Sequence, residues 1–324
     1  MTIAIIGAGM AGLSAATALK QAGLEVTVFD KGRGPGGRMS SRRAESAIGA
    51  LRFDHGAQFF TAREPDFIAQ VEDWLMKGVV AKWDARFAHI GADGSLVPAK
   101  YNHPRYVGTP SMNTVIRHMA KPHDVSWNTR ITGLSSLSSG WQLCFDKNTQ
   151  TEFEAVILAV PAEQALDLLE TVSSEMCSKI SAAISEPCWS VMLGFEQPVG
   201  LSWDAAHIDG QALSWAARNS SKPGRDKPET WVLHASPEWS RVHLECESEE
   251  IIAKIQIEAA QLGLSQKPVH AAAHRWRYSQ VFNSLKTAAI WDPDLRLGVC
   301  GDFCLGGKVE AAWSSGSELS KIII

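Results

Sequence analysis

The first twelve residues constrain the fold more than any other stretch of the chain. An unbroken apolar run is followed by Gly7, Gly9 and Gly12 at the spacing GxGxxG. This pattern predicts a buried strand, a tight turn and the start of a helix. Gly7 permits the turn, Gly9 leaves room for a pyrophosphate, and Gly12 lets the helix pack on the strand. The phosphates would lie at the positive end of the helix dipole, near Met10 and Ala11.

The residues after the turn continue the pattern of a dinucleotide-binding βαβ unit. Residues 13–22 are rich in Ala and Leu and predict a helix, which Gly23 would end. Residues 24–29 alternate and are rich in β-branched side chains, which predicts a second strand. Asp30 closes that strand 18 residues after Gly12, where a carboxylate can bind the ribose hydroxyls of an adenosine. A structural βαβ unit without a nucleotide is the alternative.

A loop rich in glycine and arginine follows Asp30. Glycines remove side-chain bulk and arginines supply forked, permanently charged donors, a combination suited to a diphosphate. We expect Lys31, Gly37 and Arg38 in this loop to contact a cofactor. A flexible basic surface loop is the alternative.

Composition excludes several classes of partner. The chain has 324 residues, enough for one large domain or two ordinary ones, and a net charge of −4. This balance predicts no attraction to nucleic acid or to an anionic membrane. The six cysteines include no CxxC pair, so we expect free thiols in a reducing cytoplasm and no metal site. The glycine-rich strand begins at the second residue and no long apolar run follows, which predicts a soluble protein without an export signal.

Two further motifs lie far from the first glycines. A short strand ends in a small-residue turn that leads into polar and aromatic side chains, and the residues are Asp54, His55, Gly56, Ala57, Gln58, Phe59 and Phe60. Much later, residues 297–302 form a strand that ends in Gly-Asp, and a glycine bend precedes a small-residue helix that begins near Val309.

The order of these motifs resembles the flavin-containing amine oxidase superfamily. The resemblance implies noncovalent FAD and an α/β fold, in which a discontinuous Rossmann-like FAD-binding domain carries an inserted α+β substrate domain built on a mixed sheet. The implied FAD contacts are Gly7, Gly9, Met10, Ala11, Gly12, Asp30, Lys31, Gly37, Arg38, Asp54, His55, Gly56, Ala57, Val125, Ile131, Asp302, Lys308 and Val309.

The resemblance also implies how the ADP part of FAD is held. The first glycine turn and Asp30 hold the ADP, and Arg38 reaches the phosphates. A strand that contains Val125 or Ile131 lies beside the adenine.

The flavin part is held by the later motifs in this resemblance. The turn at residues 54–57 lies close to the isoalloxazine ring. Asp302 accepts hydrogen bonds from the ribitol or lies near the pyrophosphate. The helix that begins near Lys308 and Val309 directs its N–H groups at the flavin pyrimidine ring, where a positive helix end stabilises an anionic reduced flavin.

Two stretches narrow the resemblance to the renalase family. They are the turn Asp-His-Gly-Ala-Gln-Phe-Phe and the segment His-Arg-Trp-Arg-Tyr-Ser-Gln-Val at residues 274–281. Bacterial members of that family oxidise isomers of reduced NAD(P) that carry the hydride at ring position 2 or 6. The implied reaction passes this hydride to FAD, gives NAD or NADP, and ends with reduction of O2 to hydrogen peroxide. Such chemistry depends on stacking and orientation more than on an acid or base.

The same resemblance suggests which side chains face the substrate. We expect the wall beside the flavin to consist of Gln58, Phe59, Phe60, Trp276 and Tyr278. Arg275, Arg277 or His274 would orient polar groups of the substrate. If this segment is a strand, Arg275 and Arg277 share one face, and His274, Trp276 and Tyr278 share the other.

The predicted domains are both discontinuous. The FAD-binding domain comprises residues 1–75, 106–162 and 270–324, and the substrate domain comprises residues 76–105 and 163–269. Residues 219–228, rich in Ser, Lys, Pro and Gly, predict an exposed loop. The alternative functions are an amine oxidase or desaturase, a redox sensor that binds FAD without turnover, and a dehydrogenase that uses the first glycines for NAD.

Overall fold

Two large sheets dominate the computed structural model, which describes residues 1–145, 150–210, 212–225 and 228–324. The strands are β1 (Thr2–Ile6), β2 (Glu25–Phe29), β3 (Ser41–Ser46), β4 (Gly49–Asp54), β5 (Val80–Lys82), β6 (Phe87–Ile90), β7 (Leu96–Pro98), β8 (Tyr106–Gly108), β9 (Asp124–Ser126), β10 (Ile131–Leu137), β11 (Gly140–Phe145), β12 (Gln150–Phe153), β13 (Ala155–Leu158), β14 (Ile184–Phe195), β15 (Ala205–Ile208), β16 (Leu213–Arg218), β17 (Glu229–Ala235), β18 (His270–Asn283), β19 (Ile290–Asp292) and β20 (Leu297–Val299).

The helices lie against these sheets or connect their strands. They are α1 (Met10–Gln21), α2 (Pro65–Met76), α3 (Thr114–Ala120), α4 (Ala162–Leu169), α5 (Ser174–Ile180), α6 (Pro237–Val242), α7 (Ser248–Gln261), α8 (Asp302–Leu305) and α9 (Val309–Ile323). Within the described ranges, no helix has the length and apolar character needed to cross a membrane.

The first sheet is Rossmann-like and has β1 at its centre. Its order is β19-β20-β13-β1-β2-β9, and the pairs from β20 to β9 are parallel. In β1, Ile5 aligns with Ile157 on one side and with Val28 on the other. All three side chains are fully buried, as expected for a parallel sheet covered on both faces. The strand, turn and helix predicted from the first residues are confirmed.

The three glycines of the first turn have different steric roles. Gly7 has a φ of +111°, and a Cβ atom there would lie 2.4 Å from the Ala159 carbonyl oxygen. A Cβ atom at Gly12 would lie 1.9 Å from the Gly7 oxygen, so only glycine lets α1 pack on the turn. At Gly9, by contrast, a Cβ atom would meet nothing within 4 Å. The space above Gly9 is open to a ligand.

Helix α9 returns the end of the described chain to its beginning by packing on α1. A Cβ atom at Gly316 would lie 2.1 Å from the Ala11 carbonyl oxygen. Two serine hydroxyls add hydrogen bonds across the contact: Ser14 donates to the Trp313 carbonyl at 2.7 Å, and Ser320 donates to the Ala15 carbonyl at 3.2 Å. Small residues therefore set the closest approach of the two helices.

The second sheet has seven strands in the order β18-β14-β17-β16-β15-β6-β7. It is mixed, since β15 pairs parallel with β6 and the other neighbours pair antiparallel. Its apolar side chains form a core with α7, in which Trp231, Leu233 and Ile255 are fully buried. This is the mixed sheet expected of the inserted domain.

Strand β18 changes one proposed domain boundary. The sequence division places residues 270–324 in the FAD-binding domain, but β18 pairs with β14 from Gly194↔His270 to Ile184↔Asn283. We therefore propose that the second domain extends to the end of β18. The other boundaries remain predictions.

The prediction of an exposed loop at residues 219–228 is wrong for three polar residues of the segment, although Gly224 is exposed. Asn219, Lys222 and Arg225 are all buried, with at most 4% of their surface exposed. Their polar groups have partners on β4, because the Asn219 amide donates to the Arg52 carbonyl at 2.9 Å and the two cations approach Asp54. The polar composition of this segment predicts exposure, but these side chains are buried because they find polar partners on β4.

We expect Gly316→Ala to destabilise the fold by about 1–3 kcal/mol, because the added methyl group overlaps the α1 backbone. Helix propensity alone predicts a gain of about 1 kcal/mol for the same change. Urea denaturation measures whether the substitution lowers or raises the free energy of unfolding. Ser317→Ala, a neighbouring and partly exposed position on α9, serves as the control. A Gly316→Ala protein at least as stable as the wild type would contradict the packing described here.

Candidate flavin and substrate site

The glycine turn leaves the N-terminus of α1 available to a phosphate. Gly9 is the N-cap residue, no side chain caps the helix, and the first turn carries no acidic residue. The second glycine loop lies directly beside it, since a Cβ atom at Gly37 would lie 3.9 Å from the Gly9 Cα. Free N–H groups beside open space fit the pyrophosphate of a dinucleotide, so the residues present are compatible with FAD.

Asp30 joins the glycine turn to the loop that follows β2. One carboxylate oxygen accepts from the Ala8 N–H at 2.7 Å and the other accepts from the Gly32 N–H at 2.6 Å. Its contact with a ribose remains a prediction. Lys31 donates to the Gln164 side chain at 2.8 Å, and burial lowers the pKa of Lys31.

Arg38 and Asp302 come together although the two residues are 264 positions apart. The guanidinium donates to both carboxylate oxygens, at 2.6 and 2.8 Å. A bidentate pair of this kind fixes orientation as well as distance. The structure thus brings the Gly-Gly-Arg loop and the distal Gly-Asp motif to one place, as two halves of a cofactor site require.

Val125 and Ile131, the two residues expected beside the adenine, lie in different apolar clusters. Val125 aligns with Val28 in the first sheet. Ile131 is buried in a separate cluster together with Phe29 and Leu134. The structure does not bring the two side chains together, and either contact with adenine remains a prediction.

The turn at residues 54–57 lies against the Gly-Gly-Arg loop. The Ala57 N–H donates to the Arg38 carbonyl at 2.9 Å. A Cβ atom at Gly56 would lie 2.0 Å from the same oxygen and 3.3 Å from the Trp276 ring, so this position requires glycine. Four predicted cofactor residues, His55 to Ala57 and Arg38, are therefore neighbours.

Asp54 occupies the centre of a buried ion cluster below this turn. Its carboxylate accepts from the Ser41 hydroxyl at 2.6 Å, from the Met112 N–H at 2.9 Å and from the Arg225 guanidinium at 2.5 and 3.0 Å. The Lys222 ammonium lies 3.5 Å away. Burial raises the pKa of Asp54, but Lys222 and Arg225 outweigh burial and bring that pKa below its ordinary value.

Lys222 connects the ion cluster to the predicted wall. Its Nζ donates to the Gln58 Oε1 at 3.1 Å and lies 5.2 Å from the centre of the Trp83 ring. The Gln58 amide in turn donates to the carbonyls of Asp54 and Gly56. Burial lowers the pKa of Lys222 to about 8. Two cations surround one carboxylate, which leaves a surplus of buried positive charge beneath the turn.

Sequence reasoning missed Lys222 and Arg225. The available signal was indirect. An aspartate that ends a buried strand needs cationic partners, and residues 219–228 contain three cations that adjoin proline or glycine, namely Lys222, Arg225 and Lys227. Neither side chain belongs to a motif that would have identified it.

Three aromatic rings pack together above the turn, those of His55, His274 and Trp276, and from here on they are called the wall. The His55 ring stacks on Trp276 at 5.1 Å, and the His274 ring meets both at 4.8 and 4.4 Å. The Trp276 Nε1 donates to the His55 carbonyl at 3.0 Å, and the His234 Nε2 lies 3.3 Å from the same oxygen. His274 and Trp276 therefore share the face of β18 that meets the turn.

Arg275 and Arg277 lie on the other face, as the predicted alternation requires of residues 274–277. Both guanidinium groups pair with Glu245, at 2.8 and 2.6 Å. The structure does not bring these arginines to His55. Tyr278 is half-buried and has no ring contact within the described ranges.

The two phenylalanines of the turn diverge. Phe60 is buried in the core against Phe67 and Trp74 of α2, at 6.1 and 6.4 Å. The Phe59 ring lies 5.7 Å from the Trp215 ring. The Arg105 guanidinium carbon lies 4.6 Å from the centre of the Phe59 ring. Phe59 thus remains a candidate for contact with the substrate, whereas Phe60 packs in the core against α2.

The N-terminus of α9 has no side-chain cap either, and Lys308 is its N-cap residue. In the first turn, Val309 is half-buried. The Glu310 carboxylate accepts from the N–H groups of Arg63 and Glu64, at 2.6 and 2.8 Å. The helix that was expected at the flavin pyrimidine ring is therefore tied to the segment that follows Phe60.

His55 and His274 of the wall and the adjacent His234 are neutral at physiological pH. Burial and then the neighbouring His274, Arg42 and His234 lower the pKa of His55 to about 3. Burial lowers the pKa of His234 to about 4. Burial and Arg42 also lower the pKa of His274. Although three histidines meet here, no group of His, Cys, Asp and Glu in the described part of the chain could hold a metal ion.

The fold and the site define a Rossmann-like oxidoreductase with a two-part dinucleotide site. Residues 5–73 match the NAD(P)-binding Rossmann-like domain, and residues 72–324 match the flavin containing amine oxidoreductase family. The chain belongs to the flavin containing amine oxidoreductase family, and FAD is its cofactor.

Individual relatives agree with this assignment. Renalase of Mus musculus is 24% identical over 306 residues, which cover 87% of this chain and 86% of that protein. A putative protoporphyrinogen oxidase from Exiguobacterium sp. 255-15 has a TM-score of 0.78 at 11% identity, covering 99% of this chain and 98% of that one. Wild-type putrescine oxidase bound to putrescine has a TM-score of 0.75 at 16% identity, covering 100% and 99%. The chain is thus renalase-like within the superfamily, and the solved structures share its fold.

We expect Asp54→Asn to destabilise the fold by about 3–5 kcal/mol, because it leaves two buried cations without their carboxylate. The control is Asp73→Asn, which removes a partly exposed carboxylate from its pair with Lys77 and should cost about 0.5 kcal/mol or less. Denaturant titration of both proteins measures the difference. Equal losses would show that the buried cluster contributes no more than a surface pair.

His234 makes the fold less stable in acid. Its pKa is about 4 in the folded chain and about 6.5 when unfolded, so the unfolded chain binds the extra proton first and stability falls as the pH drops from about 6.5 towards 4. We expect His234→Gln to flatten this part of the stability curve. Thermal unfolding at several pH values measures it, with the exposed His103→Gln as the control. An unchanged acid slope in His234→Gln would contradict the assignment.

Proposed function

We propose that this chain is a FAD-dependent oxidase of the 2- and 6-dihydro isomers of NAD(P)H. A substrate hydride and a proton reduce O2 to hydrogen peroxide, and the substrate leaves as NAD(P)+. Similarity to renalase along most of the chain supports this kind of function. The cytoplasmic location remains a prediction alongside it.

The observation that carries the proposal is the sign of the charge buried around the wall. Lys222 and Arg225 surround the single carboxylate of Asp54, and Arg105 lies over Phe59 with only 8% of its surface exposed. Positive charge in a poorly solvated site repels a protonated amine and attracts an anionic dinucleotide. This argues for a nucleotide substrate and against the amine oxidase alternative.

The neutral wall suits a reaction in which a C–H bond is broken as a hydride. His55, His274 and Trp276 are planar, and the two histidines remain uncharged because burial lowers their pKa values. Planar rings can stack with a dihydropyridine and exclude water from it. Since the substrate loses no proton at the reacting carbon, these histidines are not required as bases.

Several groups of the chain would orient FAD against this wall. Bound FAD supplies the two-electron acceptor that a hydride needs. The free N–H groups of α1 would hold its pyrophosphate, and the N-terminus of α9 would contribute positive potential beside its pyrimidine ring. Lys222 and Gln58 hold the turn at residues 54–57 in place from below.

Anaerobic rapid mixing with the purified, FAD-loaded protein tests the proposal. We expect 2- or 6-dihydro-NAD(P) to bleach the visible flavin absorbance within seconds, because aromatisation drives the transfer. Ordinary NADH and putrescine, each at the same concentration, should leave the absorbance unchanged. In air, an oxygen electrode should record one O2 consumed for each NAD(P)+ formed.

The other outcomes identify the alternatives. Bleaching by amines alone would make the protein an amine oxidase and refute the proposal. No bleaching by any of these donors would favour a FAD-binding protein without turnover.

A further inference from the structure

A cavity of about 350 Å³ lies near Phe59, since Arg105 in its lining has its guanidinium carbon 4.6 Å from the centre of the Phe59 ring. The side chains that matter in its lining are Thr61, Arg63, Lys100, Tyr101 and Arg105, and none of the lining residues is acidic. Three of these five, Arg63, Lys100 and Arg105, are basic side chains. The function proposed above uses the charge of Arg105 but assigns no ligand to this cavity and no role to Arg63 and Lys100.

Arg105 is the buried cation of this cavity. Its guanidinium carbon lies 3.2 Å from the centre of the Tyr101 ring and 4.3 Å from that of Phe87. The Nε atom is buried and has no hydrogen-bond partner in the ranges that the structure describes. A guanidinium that has lost water without gaining an anion is costly, so the cavity is suited to one.

Arg63 and Lys100 add positive charge at the rim. Both side chains are exposed, and neither forms an ion pair with any acidic side chain among the described residues. Elsewhere on the surface, lysines such as Lys77 and Lys179 pair with carboxylates one helical turn away. The concentration of unpaired cations around one cavity indicates a site for an anionic ligand.

The cavity adjoins the candidate flavin site. The Phe59 ring lies near both Arg105 and Trp83, at 4.6 Å from the guanidinium carbon and 6.3 Å from the Trp83 ring. The Lys222 ammonium lies 5.2 Å from the centre of the Trp83 ring. The Arg63 N–H donates to Glu310 in the first turn of α9, at 2.6 Å. A ligand seated in the cavity would therefore lie beside the helix end proposed to face the flavin.

We propose that this cavity binds the pyrophosphate of the dinucleotide substrate, with Arg105 as its specificity-determining contact. The proposal rests on the function proposed above. The Arg105 fork presents paired donors that match phosphate oxygens, and Tyr101 holds the fork in position. Arg63 and Lys100 attract the anion from solvent. The cavity would thus separate dinucleotides from smaller dihydropyridines that carry no phosphate.

The test compares a dinucleotide with a phosphate-free donor in the FAD-loaded protein. Stopped-flow absorbance measures the apparent Kd and the limiting rate of flavin reduction by 6-dihydro-NAD and by the 6-dihydro nicotinamide riboside. We expect Arg105→Met to weaken 6-dihydro-NAD at least about 30-fold without changing the riboside, and to leave the limiting rate within about twofold. Equal effects on both donors, or none on either, would overturn the proposal.

Two exposed variants keep the test independent of folding. Arg63→Ala and Lys100→Ala remove rim charges without opening the core, and each should weaken the dinucleotide about two- to fivefold. Arg117→Ala removes an equal charge from an exposed position on α3 and serves as the control. If Arg117→Ala weakens the dinucleotide as much as the rim variants do, net charge explains the effect and the cavity does not.

Calorimetry with ADP-ribose separates the two proposals. ADP-ribose contains the pyrophosphate but no nicotinamide, so we expect the wild type to bind it and Arg105→Met to lose that binding. If the isomers fail to reduce the flavin while ADP-ribose still binds through Arg105, the proposed reaction fails and the cavity stands. If the isomers reduce the flavin but Arg105→Met binds ADP-ribose and 6-dihydro-NAD normally, the cavity proposal alone fails.

Discussion

Burial of the Asp54 carboxylate holds the candidate site together. Its partners come from three other segments: Ser41 on β3, Met112 before α3, and Lys222 and Arg225 after β16. Because an ionised carboxylate leaves water only when its lone pairs are satisfied, these segments have little freedom to shift separately. The turn that presents His55 and Gln58 begins at this residue. The predicted cofactor and substrate domains therefore meet at this buried ionic contact.

Cations near the site keep the neighbouring histidines uncharged and also make the surroundings of these histidines positive. Arg42 opposes protonation of His55 and His274, and Lys222 opposes protonation of His234, in addition to the effect of burial. The wall consequently stays neutral while its surroundings stay positive. A fold shared with a putrescine oxidase does not fix the substrate, because function depends on the site placed on the fold. The positive charge around the wall comes from Lys222, Arg225 and Arg105 of this chain, and the shared fold does not determine it.

The sequence predicted best what depends on neighbours along the chain. Gly7, Gly9 and Gly12 specify a turn through their own backbone requirements, and period-two alternation places Arg275 and Arg277 opposite His274 and Trp276. It predicted poorly what depends on distant partners. The burial of Arg225 follows from Asp54, 171 residues earlier, and no local pattern carries that information. The same holds for Phe60, whose neighbours on α2 decide that it lies in the core.

The Arg38–Asp302 pair has a consequence for how the chain matures. The first glycine turn emerges early in synthesis, but the residues that close the opposite side of the site follow 264 positions after Arg38. The contact of Gly316 with Ala11 is equally remote in sequence. Contacts of such long range form late, because closing a long loop costs entropy before the contact is gained. A fragment of this chain that ends before Asp302 therefore lacks the carboxylate that pairs with Arg38, and it contains only one side of the predicted cofactor site.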